Sequence, residues 1–204
     1  MTPSLETPKH RVKRMTYARF LREVPDGVHA NLIDGEVKLE MPTATLHKRI
    51  QRLLLIVLGV FVSRHQLGEV FGSRTSVRID GYNSFEPGVL FVHHERRHVI
   101  GPMGLTCAPD LAVEIVSPSS RIDDRTRKFL GYQKVGVREY WLIDPERRLA
   151  EFYRRGSKRV FQDVTPAAGQ VFRSEAVPGF WLDPAWLCTE EPPNEYELLQ
   201  QLLG

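Results

Sequence analysis

The sequence predicts an α+β fold, and three observations carry that expectation. Asp34-Gly35 stands between two short runs, with Leu32 and Ile33 before it and Val37 and Leu39 after it, which is a strong hairpin signal. Residues 45 to about 66 read as one long helix whose stretch 53–62 is almost wholly apolar. Residues 111–116 form a near-continuous apolar run, as in a central strand covered on both faces, and a helical stretch and a further strand follow it.

The 204 residues suffice for one sizeable domain. With 42% hydrophobic and 26% charged residues the chain is ordinary for a packed protein, which excludes a wholly disordered one. A formal charge of +3 permits nucleic-acid binding without requiring it. The two cysteines, Cys107 and Cys188, have no CxxC partner, so neither a disulfide framework nor a structural zinc site is expected. The apolar block at 53–62 is far shorter than the roughly 20 residues of a bilayer-spanning helix. The charged N-terminus leads into no apolar stretch, so the expectation is a cytoplasmic protein in a reducing compartment, with no membrane partner.

Residues 1–14 hold two prolines, several charges and no apolar period, and read as a loose tail, which leaves 15–204 as a single domain. Thr16 caps a short helix over 17–24, ended by Pro25-Asp26-Gly27. The hairpin strands lie within 28–41, and Pro42-Thr43 breaks them. The helix 45–66 should be buried on all sides between 53 and 62, with Gly68 as its C-cap. Short strands are expected near 69–71, 76–79 and 89–92, with a turn at Gly81-Tyr82-Asn83 and a basic loop over 93–103. Ser117-Pro118-Ser119-Ser120 ends the strand 111–116. Ser119 or Ser120 then caps a helix over 121–135, with Asp123 and Asp124 in its first turn and Gly136 at its end. A hairpin over 139–143 and 149–153 turns at Asp144-Pro145-Glu146. Beyond residue 160 the pattern weakens to a short strand, a Pro178-Gly179 turn and a last helix from about Asn194.

Glu114 is the informative residue, a carboxylate set among apolar neighbours in a strand that should be buried. Such a group is either paired with a basic side chain or binds a metal, and the strand alone supports both readings. Alternation places Asp110, Ala112, Glu114 and Val116 on one strand face. Asp124 and Lys128, four apart, share a helix face, and read either as an exposed pair or as part of a cluster with Glu114. Carboxylates with one lysine at the end of a central strand suit phosphodiester hydrolysis: hard divalent ions take carboxylate oxygens, and a lysine can orient water or stabilise developing charge.

Several segments then carry a resemblance. They are Asn31-Leu32-Ile33-Asp34-Gly35-Glu36, Ala44-Thr45-Leu46-His47, Phe85-Glu86-Pro87-Gly88-Val89-Leu90-Phe91-Val92 and Ala108-Pro109-Asp110-Leu111-Ala112-Val113-Glu114-Ile115-Val116-Ser117-Pro118-Ser119. Asp124, Lys128 and Tyr132 follow, then Glu139-Tyr140-Trp141-Leu142-Ile143-Asp144-Pro145 and Pro178-Gly179-Phe180. In order and spacing these resemble the bacterial Uma-type family of restriction-endonuclease-like proteins, a branch of the PD-(D/E)XK nuclease superfamily, over about residues 17–187. The resemblance implies a restriction-endonuclease-like mixed sheet flanked by helices, Mg²⁺ or Mn²⁺ as cofactor, a DNA substrate and a homodimer, since cutting both strands takes two sites.

Carried over by position, Glu114 is a metal ligand and Lys128 the catalytic lysine. The superfamily's usual lysine place, two residues after the acid, holds Val116 here. Glu36 and His47 are expected to line the same pocket as supporting residues. Where the family has its first acid, this chain has Gly88; Glu86, expected on the same strand face, and Asp110 are the candidate second acids. The resemblance thus implies a metal-dependent endonuclease hydrolysing DNA phosphodiester bonds, impaired by Gly88. The alternative is a catalytically inactive relative that binds nucleic acid or a protein partner.

The remaining polar clusters have simpler readings. His47 in a first helical turn is expected neutral, because a cation is disfavoured there. The spacing in His93-His94-Glu95-Arg96-Arg97-His98 fits no zinc pattern and reads as a solvated basic loop. Tyr140 and Trp141 read as core or dimer-packing residues.

Overall fold

The computed structural model describes residues 14–25 and 27–204. Of the tail expected over 1–14, residues 1–13 lie outside the described residues, and so does Asp26. Arg14, assigned to that tail, is tied down: its Nε donates to the Asp34 carbonyl at 2.6 Å and its guanidinium lies 5.2 Å from the Tyr82 ring centroid.

The first helix, α1 (Tyr17–Glu23), is capped by the Thr16 hydroxyl as expected. The hairpin β1 (Ala30–Ile33) and β2 (Glu36–Leu39) turns at Asp34 and Gly35, both at positive φ, as a tight hairpin turn requires. The long helix α2 (Thr45–Arg64) follows. It is not buried all round: Ile56 and Val60, one turn apart, are exposed, while Ile50, Leu54, Val57, Leu58 and Phe61 enter the core. The left-handed residue after it is Gln66 rather than Gly68. Gly68 instead starts β3 (Gly68–Gly72), where a Cβ would collide with the Val92 carbonyl of the neighbouring strand.

Next come β4 (Val77–Arg78), β5 (Ser84–Phe85) and β6 (Val89–His93). The stretch expected as a basic loop is ordered into a 3₁₀ turn (His94–Val99), β7 (Ile100–Gly101) and β8 (Gly104–Leu105). Strand β9 (Leu111–Ile115) leads into α3 (Arg121–Asp123), a π-helical turn (Asp124–Lys128) and α4 (Phe129–Val135), which run on as one helical rod. Gly136 ends the rod in the left-handed conformation. The expected hairpin is β10 (Glu139–Asp144) with β11 (Leu149–Arg155). The weaker C-terminal part supplies β12 (Phe161–Asp163), β13 (Phe172–Arg173), β14 (Trp181–Leu182) and α5 (Glu195–Leu203), which Asn194 caps.

The strands form two six-stranded mixed sheets, in the orders β12-β11-β10-β9-β6-β3 and β2-β1-β5-β4-β8-β7, and a small β13-β14 pair. Strands β9 and β10 pair in parallel, with the helical rod as their crossover, and β6 joins β9 antiparallel. Strand β9 is buried along its whole length, so alternation decides what each side chain meets. Leu111, Val113 and Ile115 pack with α2 and α5 in one core cluster. Ala112 joins Tyr132, Tyr140 and Leu142 in the other, under the helical rod and the second sheet. Glu114 falls on that second side, beneath the π turn. Trp141 and Tyr140 are fully buried core residues, as expected.

Candidate active site

A cleft of about 260 Å³ opens where the two sheets part. The end of β9, the β1–β2 hairpin, the first turns of α2, the link between β5 and β6, and the helical rod supply its walls. Glu114 and Lys128 lie at its floor, with side chains 6% and 2% exposed. The Lys128 ammonium stands 3.1 Å from Glu114 Oε1 and 2.9 Å from Asp124 Oδ1. Glu40 Oε1 is 3.9 Å away. Asp124 and Lys128 are therefore no exposed helix pair. The widened turn carrying both residues buries them, and such turns recur at functional sites.

Two buried tyrosines hold this floor. The Tyr132 hydroxyl donates to Glu114 Oε1 at 2.8 Å, and the Tyr140 hydroxyl donates to the Asp124 carbonyl at 3.0 Å. Burial pushes the Glu114 carboxyl up to about 8; the Lys128 ammonium pulls it back, and the Asp124 and Glu40 carboxylates add to the rise. For Lys128 burial acts downward, but Asp124, Glu114 and Glu40 outweigh it and hold the ammonium well above its ordinary value. The pair thus sits in an environment with more carboxylates than cations.

Glu86 lies in the link between β5 and β6, not on a strand face as expected, and it still lines the cleft. Its backbone N–H donates to Asn31 Oδ1, and Asn31 Nδ2 donates to Glu40 Oε1 at 2.7 Å. Its Oε2 is buried with no hydrogen-bond partner and faces His29 Nδ1 at 3.5 Å. Burial, reinforced by Glu40, pushes the Glu86 carboxyl up to about 7. His47 also lines the cleft, and burial together with Lys48 lowers its imidazole to about 4, so it is neutral at pH 7 as its helical position implied.

Asp110 stands elsewhere. It lies just before β9, four residues from Glu114, a separation of roughly 13 Å along a strand, so the two cannot share an ion. Its carboxylate accepts from the His93 N–H and from Arg96, with Arg138 at 3.6 Å, and it is a buried structural anion. Glu36 is also outside the cleft lining: it pairs with Ile33 at the turn end of the hairpin and is exposed. Lys38 and Glu40, two and four residues on along the same alternation, line the cleft in its place. Glu40 and Gln51 are the residues the sequence reading missed. The period-2 pattern of Glu36, Lys38 and Glu40 pointed to Glu40. Gln51 is one helical turn from His47, and its amide donates to the Gly88 carbonyl at 2.8 Å and to Ser73 at 3.0 Å.

At Gly88 an added Cβ would meet the Val113 carbonyl at 3.4 Å, Ile115 at 3.7 Å and Gln51 Nε2 at 3.8 Å, which is ordinary contact. The backbone therefore still has room for a side chain where the first acid would stand. Among the described residues no three acidic, histidine or cysteine side chains converge as a ready cage for a metal ion. A hard ion such as Mg²⁺ keeps several waters and takes one or two protein carboxylates, and that looser requirement fits Glu114 together with the unpartnered Glu86 oxygen.

A mixed sheet flanked by helices, with a buried carboxylate–lysine pair in a cleft at the end of its central parallel strands, defines the restriction-endonuclease-like class. The chain belongs to the Uma2 family, described as "Putative restriction endonuclease", which matches residues 16–185. No curated protein sequence matches it. A solved structure described as a putative nuclease belonging to DUF820 from Anabaena variabilis is similar in fold, with a TM-score of 0.68 and 19% identity over 92% of this chain and 99% of that one. No helix among the described residues is long and apolar enough to cross a membrane.

Proposed function

We propose that the chain is a metal-dependent endonuclease that hydrolyses DNA phosphodiester bonds in this cleft. The observation that carries the reading is the contact of Lys128 with Glu114 at the cleft floor, under a surplus of carboxylates. Glu114 holds the ion, Mg²⁺ or Mn²⁺, and Glu86 is the second carboxylate able to reach it. The ion, when bound, would polarise a phosphoryl oxygen and neutralise developing charge. Lys128 orients the attacking water and stabilises charge on the scissile phosphate. His47, neutral and in the cleft wall, offers a hydrogen bond without a charge. Cutting both strands takes two such clefts, hence a homodimer.

The test is plasmid cleavage with Mg²⁺ and with Mn²⁺, comparing the natural chain with Glu114→Gln. Cleavage lost in the variant supports the assignment, and equal cleavage by both removes Glu114 from the reaction. Gly88 favours a second reading, a relative that binds DNA without cutting it. That reading expects DNA affinity that falls as salt rises, with no cleavage under either ion.

A further inference from the structure

The proposed reading gives Asp124 no task, yet its carboxylate is among the most buried charges in the molecule, with the side chain 1% exposed. Both of its oxygens lack a conventional hydrogen-bond donor among the described residues, and its one ion pair there is with Lys128. A carboxylate buried in this way costs several kcal/mol unless its charge is matched, so the contact with Lys128 is what retains it. The turn that carries it is fixed from below, because its carbonyl accepts the Tyr140 hydroxyl. Glu114 is fixed separately by Tyr132. The lysine is thus shared between two acids, Glu114 held at its carboxylate by Tyr132 and Asp124 held at its backbone carbonyl by Tyr140.

That sharing decides the charge left for an ion. Two acids, Asp124 and Glu114, face one ammonium at similar distances, 2.9 and 3.1 Å, with Glu40 farther off at 3.9 Å, so the acids outnumber the one cation. Without Asp124 the ammonium would be left to Glu114 at 3.1 Å, with Glu40 farther off at 3.9 Å, and the close pair would be neutral. A neutral pair at the cleft floor would attract a divalent cation far less, and an engaged Glu114 would have to break its ion pair to bind one. We propose that Asp124 is a positioning residue: it shares the Lys128 ammonium with Glu114, so that the ammonium is not Glu114's alone and Glu114 can turn to a metal ion. This rests on the metal-dependent reading above.

Mn²⁺ binding to the full chain, followed by the loss of the free-ion electron paramagnetic resonance signal, tests it without any cleavage assay. Four proteins are compared: the natural chain, Asp124→Asn, Lys128→Met and the double variant, each checked for folding by thermal melting. Asp124→Asn should weaken Mn²⁺ binding by about 10–100-fold, the range for groups that orient metal ligands. The double variant, in which Glu114 again has no cation beside it, should recover most of that loss. It keeps the test open even if Lys128→Met alone does not fold, because it does not leave two unmatched carboxylates. A merely structural Asp124 predicts no such recovery. Equal binding by the natural chain and Asp124→Asn, or a double variant as weak as the single one, overturns the proposal. A natural chain that binds Mn²⁺ and cuts no DNA overturns the endonuclease reading while leaving this one standing; a natural chain that binds no Mn²⁺ overturns both.

Discussion

The Lys128 ammonium lies 3.1 Å from Glu114 Oε1, the acid on a strand and the lysine on the helical crossover that follows it, and both side chains are withdrawn from solvent. Removing either partner therefore has unequal consequences. Lys128→Met leaves Glu114 and Asp124 as two buried carboxylates without a cation, and should destabilise the fold by about 3–5 kcal/mol. Glu114→Gln leaves Lys128 paired with Asp124 and puts a neutral group of the same shape where burial already holds the carboxyl up, so its cost should be smaller, about 1 kcal/mol. Urea unfolding of the two variants at pH 7 checks the order; a Glu114→Gln protein less stable than Lys128→Met contradicts it.

Gly88→Asp should be tolerated and should strengthen the cleft as a metal site. The added Cβ would make contacts no closer than 3.4 Å, and Gln51 is the flexible neighbour that gives way. The expected result is Mn²⁺ binding at least about 10-fold tighter and faster plasmid cleavage, with melting temperature nearly unchanged. Unaltered Mn²⁺ affinity in a folded variant means that position 88 is not directed at the ion.

Much of the architecture could be read from local pattern, because the hairpin at Asp34-Gly35, the apolar strand of Glu114 and the long helix each satisfy one periodicity over their whole length. In the C-terminal part the last helix from about Asn194 was legible as α5, but β13 and β14, two residues each, were not, since such short strands gain their stability from packing onto the rest of the core. The site was legible in part for a similar reason. Alternation gives the face a side chain occupies but not its depth along the strand. It therefore grouped Asp110 with Glu114, while Glu36, taken from the family resemblance, lies outside the cleft, where Glu40 stands instead. The burial of Asp124 was not legible, because a four-residue spacing looks the same on an exposed helix and on a π turn pressed against a sheet.

The assignment of Asp110 as a structural anion makes its own forecast. Asp110→Ala removes the acceptor for the His93 N–H and leaves Arg96 without its buried partner. Stability should fall by about 3–5 kcal/mol, while Mn²⁺ affinity of the folded fraction stays within a few-fold of the natural chain. A stable Asp110→Ala protein that has lost Mn²⁺ would return this residue to the metal site.

The Glu86 carboxyl gives a pH dependence whose sign is fixed. Burial, then the nearby Glu40, raise it from about 4.5 in the unfolded chain to about 7 in the fold. Between those values the folded chain holds a proton that the unfolded chain has lost, so this group's contribution to stability is present below pH 4.5 and declines as pH rises through 7. Glu86→Gln removes the titration. At pH 4, below both values, the two proteins should unfold at nearly the same urea concentration, because both side chains are then largely neutral in the folded and the unfolded chain. At pH 8 the variant should be the more stable by about 2 kcal/mol, a figure discounted for the open side of the cleft. Saturating Mg²⁺ should narrow that gap from the other side, since an ion bound at Glu86 stabilises only the natural carboxylate. A gap at pH 8 that Mg²⁺ leaves untouched would mean that Glu86 titrates in the cleft but does not reach the ion, and Glu114 would then hold it with water and Glu40 alone.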